Sequence, residues 1–217
     1  MSLTLLDPAA ALIVFGGTML ATLLRSGWRE TALALRMLAL SFRPGFSADE
    51  AKAELVSQVR EIRTDGVLRA RPRRLADREF AEATDALFHQ RSVAGLLAAH
   101  DRHKARRMAD AETAVRVLAQ ASELAPVFGM AGTLVALNHM PSDPSLAAGT
   151  AITGAIGMAV VTTLYGILAA NLVLAPLARK VERAARAEEA ARDEVAEWLA
   201  AQVSKAMPHH VAPAEAA

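Results

Sequence analysis

Thr162, Thr163 and Tyr165 carry hydroxyls in a stretch that has no charge at all: from Pro144 to Ala178 every residue is uncharged. A hydroxyl donates to an ionised carboxylate and accepts from a protonated one, so such groups suit a site that must tolerate both states of an acid. The alternative is a hydrogen bond from each threonine to a carbonyl of its own helix. The run is far longer than the ~20 apolar residues that cross a bilayer. Thr150, Thr153, Thr162, Thr163, Tyr165 and Asn171 are mixed there with Gly149, Gly154, Gly157 and Gly166. That mixture suits a helix buried among other helices rather than one facing lipid. A proton path through such a lining needs a titratable group in the hydrocarbon region, and this chain offers none at mid-span. The carboxylate would have to come from a partner.

The elements that hold these residues are set by composition and charge. The chain has 217 residues, 53% of them hydrophobic, and a mean hydropathy of +0.24, which suits a small membrane subunit better than two soluble domains. The net charge of +1 conceals a segregation, because all 24 Lys and Arg lie between Arg25 and Arg116 or between Arg179 and Lys205. By the positive-inside rule both blocks belong in the cytoplasm, and the N-terminus and the hairpin from Asn138 to Ser145 belong on the other side. Three spans satisfy this charge pattern; two or four do not. With no cysteine, neither a disulfide nor a thiolate metal site is expected. The N-terminus lacks the basic n-region of a cleavable signal.

The first span is predicted from Pro8 to Leu24, between Asp7 and Arg25. It is about 25 Å long against a ~30 Å hydrocarbon core, so it should continue through a snorkelling Arg25 to Trp28 at headgroup level. Gly16-Gly17 would admit a close helix neighbour; a plain signal-anchor is the simpler reading. Next, Ser47 and Glu50 form a capping-box pattern, and Leu55, Val56, Val59 and Ile62 recur at helical spacing, predicting a helix from Ala48 to Arg63. Gly66 and Pro72 punctuate it. A second helix begins near Asp77 with Phe80, Ala83, Leu87 and Phe88, and Ser92 starts a third, short one through Leu97. The cluster Arg69, Arg71, Arg73, Arg74 has no interleaved aromatics and suits lipid headgroups better than nucleic acid. His100 and His103 lack an obvious third metal ligand and read as a solvated face.

The second span is predicted from Leu124 to Met140, continuous with a helical pattern over Met108 to Ser122. The third overruns Ala178 into a charged helix in which Val195, Trp198, Leu199 and Val203 keep one apolar face, which should pack on the loop domain. Gly129, Gly132, Gly154 and Gly157 read as helix-packing residues. His209 and His210 sit in a Pro- and Ala-rich tail expected to lack order.

Ala125-Pro126 followed by Gly129-x-x-Gly132-Thr133, then Thr162-Thr163-x-Tyr165-Gly166, Ala170-Asn171 and Pro176-Leu177-Ala178, resemble the MotA/TolQ/ExbB proton channel family. The resemblance covers roughly Leu118 to Arg183. It implies a pentameric ring around two copies of a single-span protein of the MotB, TolR or ExbD type, whose membrane aspartate takes up and releases protons. By the same resemblance Thr163 is the last-span hydroxyl facing that aspartate, and Thr133 is the hydroxyl of the preceding span in the ExbB and TolQ branch. Thr162 joins them in the ion pathway; Tyr165 either lines it or contacts the next subunit. Pro126 falls on the proline that the MotA branch uses to couple proton flow to motion. Glu123 falls on an acidic position that could take the exiting proton, a helix-end carboxylate in headgroup water being the plain alternative. Pro176 marks the inner end of the last span.

Asp7-Pro8, Gly16-Gly17 and Ala21-Thr22 look like the second MotA span, so the usual first span is expected to be missing and the layout is that of TolQ and ExbB. Arg63-x-x-Gly66 is similar to the start of the MotA torque motif, but Arg71 stands where that motif has a glutamate, which counts against engagement of a flagellar rotor.

The expected architecture is all-α, an integral membrane protein with three transmembrane helices, the last two extending into a cytoplasmic helical domain. Its segments are an N-terminal span (1–28), a cytoplasmic helical domain (29–112), a channel core (113–178), a cytoplasmic C-terminal helix (179–206) and a tail (207–217). The bacterial inner membrane is the expected location, with the N-terminus periplasmic and the C-terminus cytoplasmic. No enzyme is expected, since the chain has no P-loop, no Gly-x-Ser-x-Gly and no His-Glu-x-x-His. No cofactor, metal or nucleic acid is expected; the transported ion is a proton, although sodium-using relatives exist. A non-conducting scaffold of the same fold is the competing function. An independent secondary transporter is disfavoured, because inverted repeats and mid-membrane charge are absent.

Overall fold

A computed structural model describes residues 7–65, 75–90, 92–138 and 149–205. All regular structure among them is helical. Helix α1 (Pro8–Leu40) starts where Asp7 Oδ1 accepts from the N–H groups of Ala9 (2.9 Å) and Ala10 (3.2 Å). Pro8 occupies the first turn, where no N–H is needed. A π turn spans Leu12–Gly16. At Gly27 the backbone leaves the helical region (φ +76°, ψ 164°), a conformation that suits a residue without Cβ, and the helix breaks before resuming to Leu40.

Helix α2 (Ala48–Asp65) is capped by Ser47 Oγ, which accepts from the Glu50 N–H at 3.3 Å. Helix α3 (Arg78–Gln90) is capped by Asp77, which accepts from Glu79 (2.9 Å) and Phe80 (3.1 Å). Helix α4 runs unbroken over Val93–Asn138 with Pro126 inside it. The short helix expected at Ser92–Leu97 and the pattern from Met108 are therefore one element: the charged stretch between them is mostly Ala, Arg and Lys with no Gly or Pro, and it interrupts nothing. Helix α5 covers residues 149–204 and contains a π segment at Ala169–Leu174.

Two compact units result, one from the described residues up to Arg43 with those of Asp110–Ala184, the other from those of Pro44–Ala109 with α5 from Ala185 onward. The segment borders expected after residues 28, 112 and 178 fall inside α1, α4 and α5, because each helix runs on past the change in composition. The second unit has a closed apolar core. Leu55, Ile62, Leu87, Leu96, Val195 and Leu199 are each at most 1% exposed, and Trp198 packs partly buried against them. This is where the apolar face of the C-terminal helix is covered.

Pro8–Leu40 and Ile152–Ser204 are long and apolar enough to cross a membrane. The described part of the expected middle span forms the end of α4. Met140 and the hairpin through Ser145 lie outside the described residues, as do Gly66, Pro72, the four clustered arginines, His209, His210 and the tail.

Candidate functional site

Within the first unit, α4 and α5 cross on small residues. Ala125, Gly129, Gly132 and Ala136 recur every three or four positions on α4, and all are buried. Gly129 and Gly132 meet Thr162, Gly129 also meets Gly166, and Ala125 packs with Ala169 and Ala170 of the π segment. A Cβ on Gly166 would lie 2.7 Å from the Ala125 carbonyl oxygen and 3.1 Å from the Cα atoms of Pro126 and Gly129. One on Gly129 would lie 3.0 Å from the Thr162 carbonyl oxygen, and one on Gly132 would lie 2.7 Å from Thr162 Cγ2. The backbones touch here because no side chain intervenes. Gly154 and Gly157 differ, since nothing lies within 4 Å of a Cβ at either.

Pro126 is half-buried at this crossing. It offers no N–H to the Ser122 carbonyl one turn earlier. Ser122 Oγ donates instead across the crossing to the Ala170 carbonyl (3.1 Å), and Asn171 Nδ2 donates to the Ile167 carbonyl (3.0 Å). Both acceptors lie in or beside the π segment, where the backbone ladder changes register. Pro126 itself packs on Gly166, and Ser122, one turn earlier on α4, is the residue bonded into the π segment. Sequence reasoning did not find the π segment; the Asn171 amide is the nearest thing to a signal for it.

The hydroxyls sort by environment. Thr162 is fully buried and donates to the Ala159 carbonyl at 2.9 Å. Thr163 is half-buried and donates to the same carbonyl at 3.2 Å; Thr133, also half-buried, donates to Met130 at 2.6 Å. Each hydroxyl proton is committed to its own helix, which leaves the oxygen lone pairs as acceptors. Tyr165 is half-buried, its ring 6.1 Å from that of Phe15 on α1. Helix α1 also meets α4, where a Cβ on Gly17 would run into the Phe128 ring. Glu123 and Pro176 are exposed.

The second unit holds an ion network that the sequence did not suggest. His100 is 7% exposed, and its Nε2 lies 2.9 Å from Asp193 Oδ1, so this residue does not belong to a solvated face. His103 Nε2 lies 3.1 Å from a Glu82 oxygen. His100, Glu189 and Asp193 come close enough to hold a metal ion. Arg107, however, forks onto Glu189 through Nε (3.1 Å) and Nη2 (2.9 Å) and also pairs with Glu79, while Lys104 Nζ reaches Asp193 at 2.5 Å. The carboxylates are matched by protein cations, as an ion-pair network requires. Burial works to raise the Asp193 carboxyl, but hydrogen bonds from His100 and Lys104 outweigh it and hold the group below the ordinary carboxylate range. The bond to Asp193 raises the Lys104 ammonium. The i, i+4 spacing of Glu189 and Asp193 was visible in the sequence, but their partners on α4 were not.

The fold is that of solved stator complexes. The chain is similar to the flagellar MotAB stator complex from Bacillus subtilis (TM-score 0.80, 19% identity, 98% of this chain and 88% of that one). MotAB from C. jejuni is similarly close (TM-score 0.78, 17% identity, 96% and 87%). In sequence the chain is 41% identical over 76 residues to the uncharacterised protein YtxD of Bacillus subtilis and 36% identical over 78 residues to motility protein A of Borreliella burgdorferi. These matches span 26% and 29% of those relatives. The chemotaxis protein PomA of Vibrio alginolyticus is 29% identical over 190 residues, 81% of this chain and 69% of that one. The MotA/TolQ/ExbB proton channel family model matches residues 72–194, a segment that includes the small-residue crossing, its threonines and Pro126. With its long apolar helices, and in a family of channels rather than enzymes, this chain is a membrane protein that belongs to the MotA/TolQ/ExbB proton channel family.

Proposed function

We propose that the chain is the ring-forming subunit of a motor complex driven by the proton-motive force. Five copies surround two copies of a single-span partner of the MotB, TolR or ExbD type, and the partner's membrane aspartate supplies the titratable group that this chain lacks. The chain crosses the bacterial inner membrane three times, with Leu124 to Met140 as the middle span, the N-terminus in the periplasm and the C-terminus in the cytoplasm. The observation that carries the reading is the close crossing of α4 on α5, with Ala125, Pro126 and Gly129 against Gly166 and Ser122 bonded to Ala170 in the π segment, beside a polar lining without charge. Thr133, Thr163 and Tyr165 line the path from half-buried positions, and Thr162 braces its wall against Gly132. Gly154 and Gly157, open in the single chain, face neighbouring copies.

The test is proton flux into vesicles that carry the chain with and without a partner bearing a membrane aspartate. Flux is expected only when both are present, and it should vanish when that aspartate becomes asparagine. A stable complex with no flux under an imposed pH gradient would reject the channel reading and select the non-conducting scaffold.

A further inference from the structure

Helix α1 is too long to be only a span. From Pro8 to Ser26 it covers about 28 Å, which nearly consumes a ~30 Å hydrocarbon core. There, at Gly27, the helix breaks. Beyond the break an aromatic or aliphatic residue paired with an arginine recurs every seven positions: Trp28-Arg29, Leu35-Arg36 and Phe42-Arg43. A spacing of seven is two helical turns, so the members of each set share one stripe, and the last pair sits in the turn just beyond the helix end.

All six side chains are exposed. Trp28 is 74% accessible, Leu35 52% and Phe42 63%, high values for large apolar residues on a folded unit. None of the three arginines meets a carboxylate among the described residues. The one acidic residue between Arg25 and Ala48 is Glu30, which is taken by Arg116 at 3.1 Å. Lys180 adds a further cation, its Nζ 3.7 Å from the centre of the Phe42 ring. Two parallel stripes result, one apolar and aromatic, the other cationic, on a segment that begins where the span ends. Water satisfies only the second stripe, and hydrocarbon only the first. The boundary between acyl chains and headgroups satisfies both.

We propose that Trp28 to Arg43 lies along the membrane surface and binds anionic phospholipid headgroups, with Trp28, Leu35 and Phe42 sunk into the acyl boundary and Arg29, Arg36 and Arg43 on the phosphates. The charge chooses the occupant: an uncompensated row of arginines matches a negatively charged leaflet and would repel an identical row on a second copy.

The test uses the full chain in nanodiscs of phosphatidylcholine with or without phosphatidylglycerol. In a Trp198→Phe background, Trp28 fluorescence should be quenched by lipids brominated near the headgroup. Native mass spectrometry of the unmodified chain should show retained phosphatidylglycerol adducts. Replacing Arg29, Arg36 and Arg43 together by glutamine should lower the preference for phosphatidylglycerol over phosphatidylcholine by at least about tenfold, while the intact complex mass stays unchanged. Accessibility of Trp28 to aqueous iodide in nanodiscs would overturn the proposal. So would equal adducts from both lipids, or Trp28 shielding that persists in neutral detergent and tracks oligomer formation, which would place a second copy on the stripe.

Discussion

Thr162 and Thr163 are neighbours in the chain and unlike in environment. Thr162 is sealed at the helix crossing, whereas Thr163 is half-buried one residue on. If the path runs past Thr163, Thr163→Val keeps the volume and removes the lone pairs that a protonated partner carboxyl would meet. Proton flux should then fall at least about tenfold, as loss of a transition-state hydrogen bond does, with the mass of the complex unchanged. Loss of assembly instead would mean that the residue packs rather than conducts. Glycines separate in the same manner. Gly166→Ala puts a Cβ against backbone, 2.7 Å from the Ala125 carbonyl oxygen, and should destabilise the first unit by about 1–3 kcal/mol. Gly154→Ala meets nothing within 4 Å in the single chain, so it should leave the fold intact, and a loss of ring assembly in native mass spectrometry would place a neighbouring copy against it.

At the scale of elements, α3, α4 and α5 are tied together in the second unit by charges. The Asp193 carboxyl is held below its ordinary range, so its contribution is present above the carboxylate range of about 4 and is lost as pH falls through the depressed value. Lys104, raised by the same bond, contributes up to the lysine range of about 10 and loses that contribution as pH rises through its folded value. Asp193→Asn should therefore weaken the acid limb of the stability profile. It should cost about 1 kcal/mol at pH 7, a modest value because the side chain is about one-third exposed. Denaturant unfolding followed through Trp198, in a Trp28→Phe background, gives the comparison, and an unchanged acid limb would remove Asp193 from the network's energetics.

At the scale of the whole molecule, two measurements bear on assembly and on what it drives. Native mass spectrometry in mild detergent should give five copies per ring, and a stable monomer or dimer would remove the basis of the proposed function. The second concerns Arg71, which lies outside the described residues. A cation where the resembling torque motif has a glutamate would repel the basic side of a rotor at contact distances inside the ~8 Å screening length. The chain with its own partner is expected not to restore swimming to cells lacking an authentic MotA, and Arg71→Glu is expected to restore it in part. Swimming supported by the unmodified pair would assign the complex to the flagellum.

Hydropathy, charge segregation and capping residues specified the helices locally. The uncharged run to Ala178, the two basic blocks and the Ser47 and Asp77 caps can be read without tertiary information, because each depends on solvent or on the nearest backbone. The motif around Pro126, Gly129 and Thr163 was legible as a resemblance for the same reason, since its spacing is fixed by the helical turn. What the helices do to one another was not legible. Among the packing glycines, only contact geometry separates Gly129 and Gly132, pressed on Thr162, from Gly154 and Gly157, which meet nothing. The π segment at Ala169–Leu174 takes the Ser122 hydroxyl on its Ala170 carbonyl, a contact between two helices at positions 48 residues apart. His100 reads as solvated by its charged neighbours on α4, and it is buried because α5 brings Asp193 back to it from 93 residues away. Spacing along one helix determines which residues share a face; only the tertiary structure decides what that face meets.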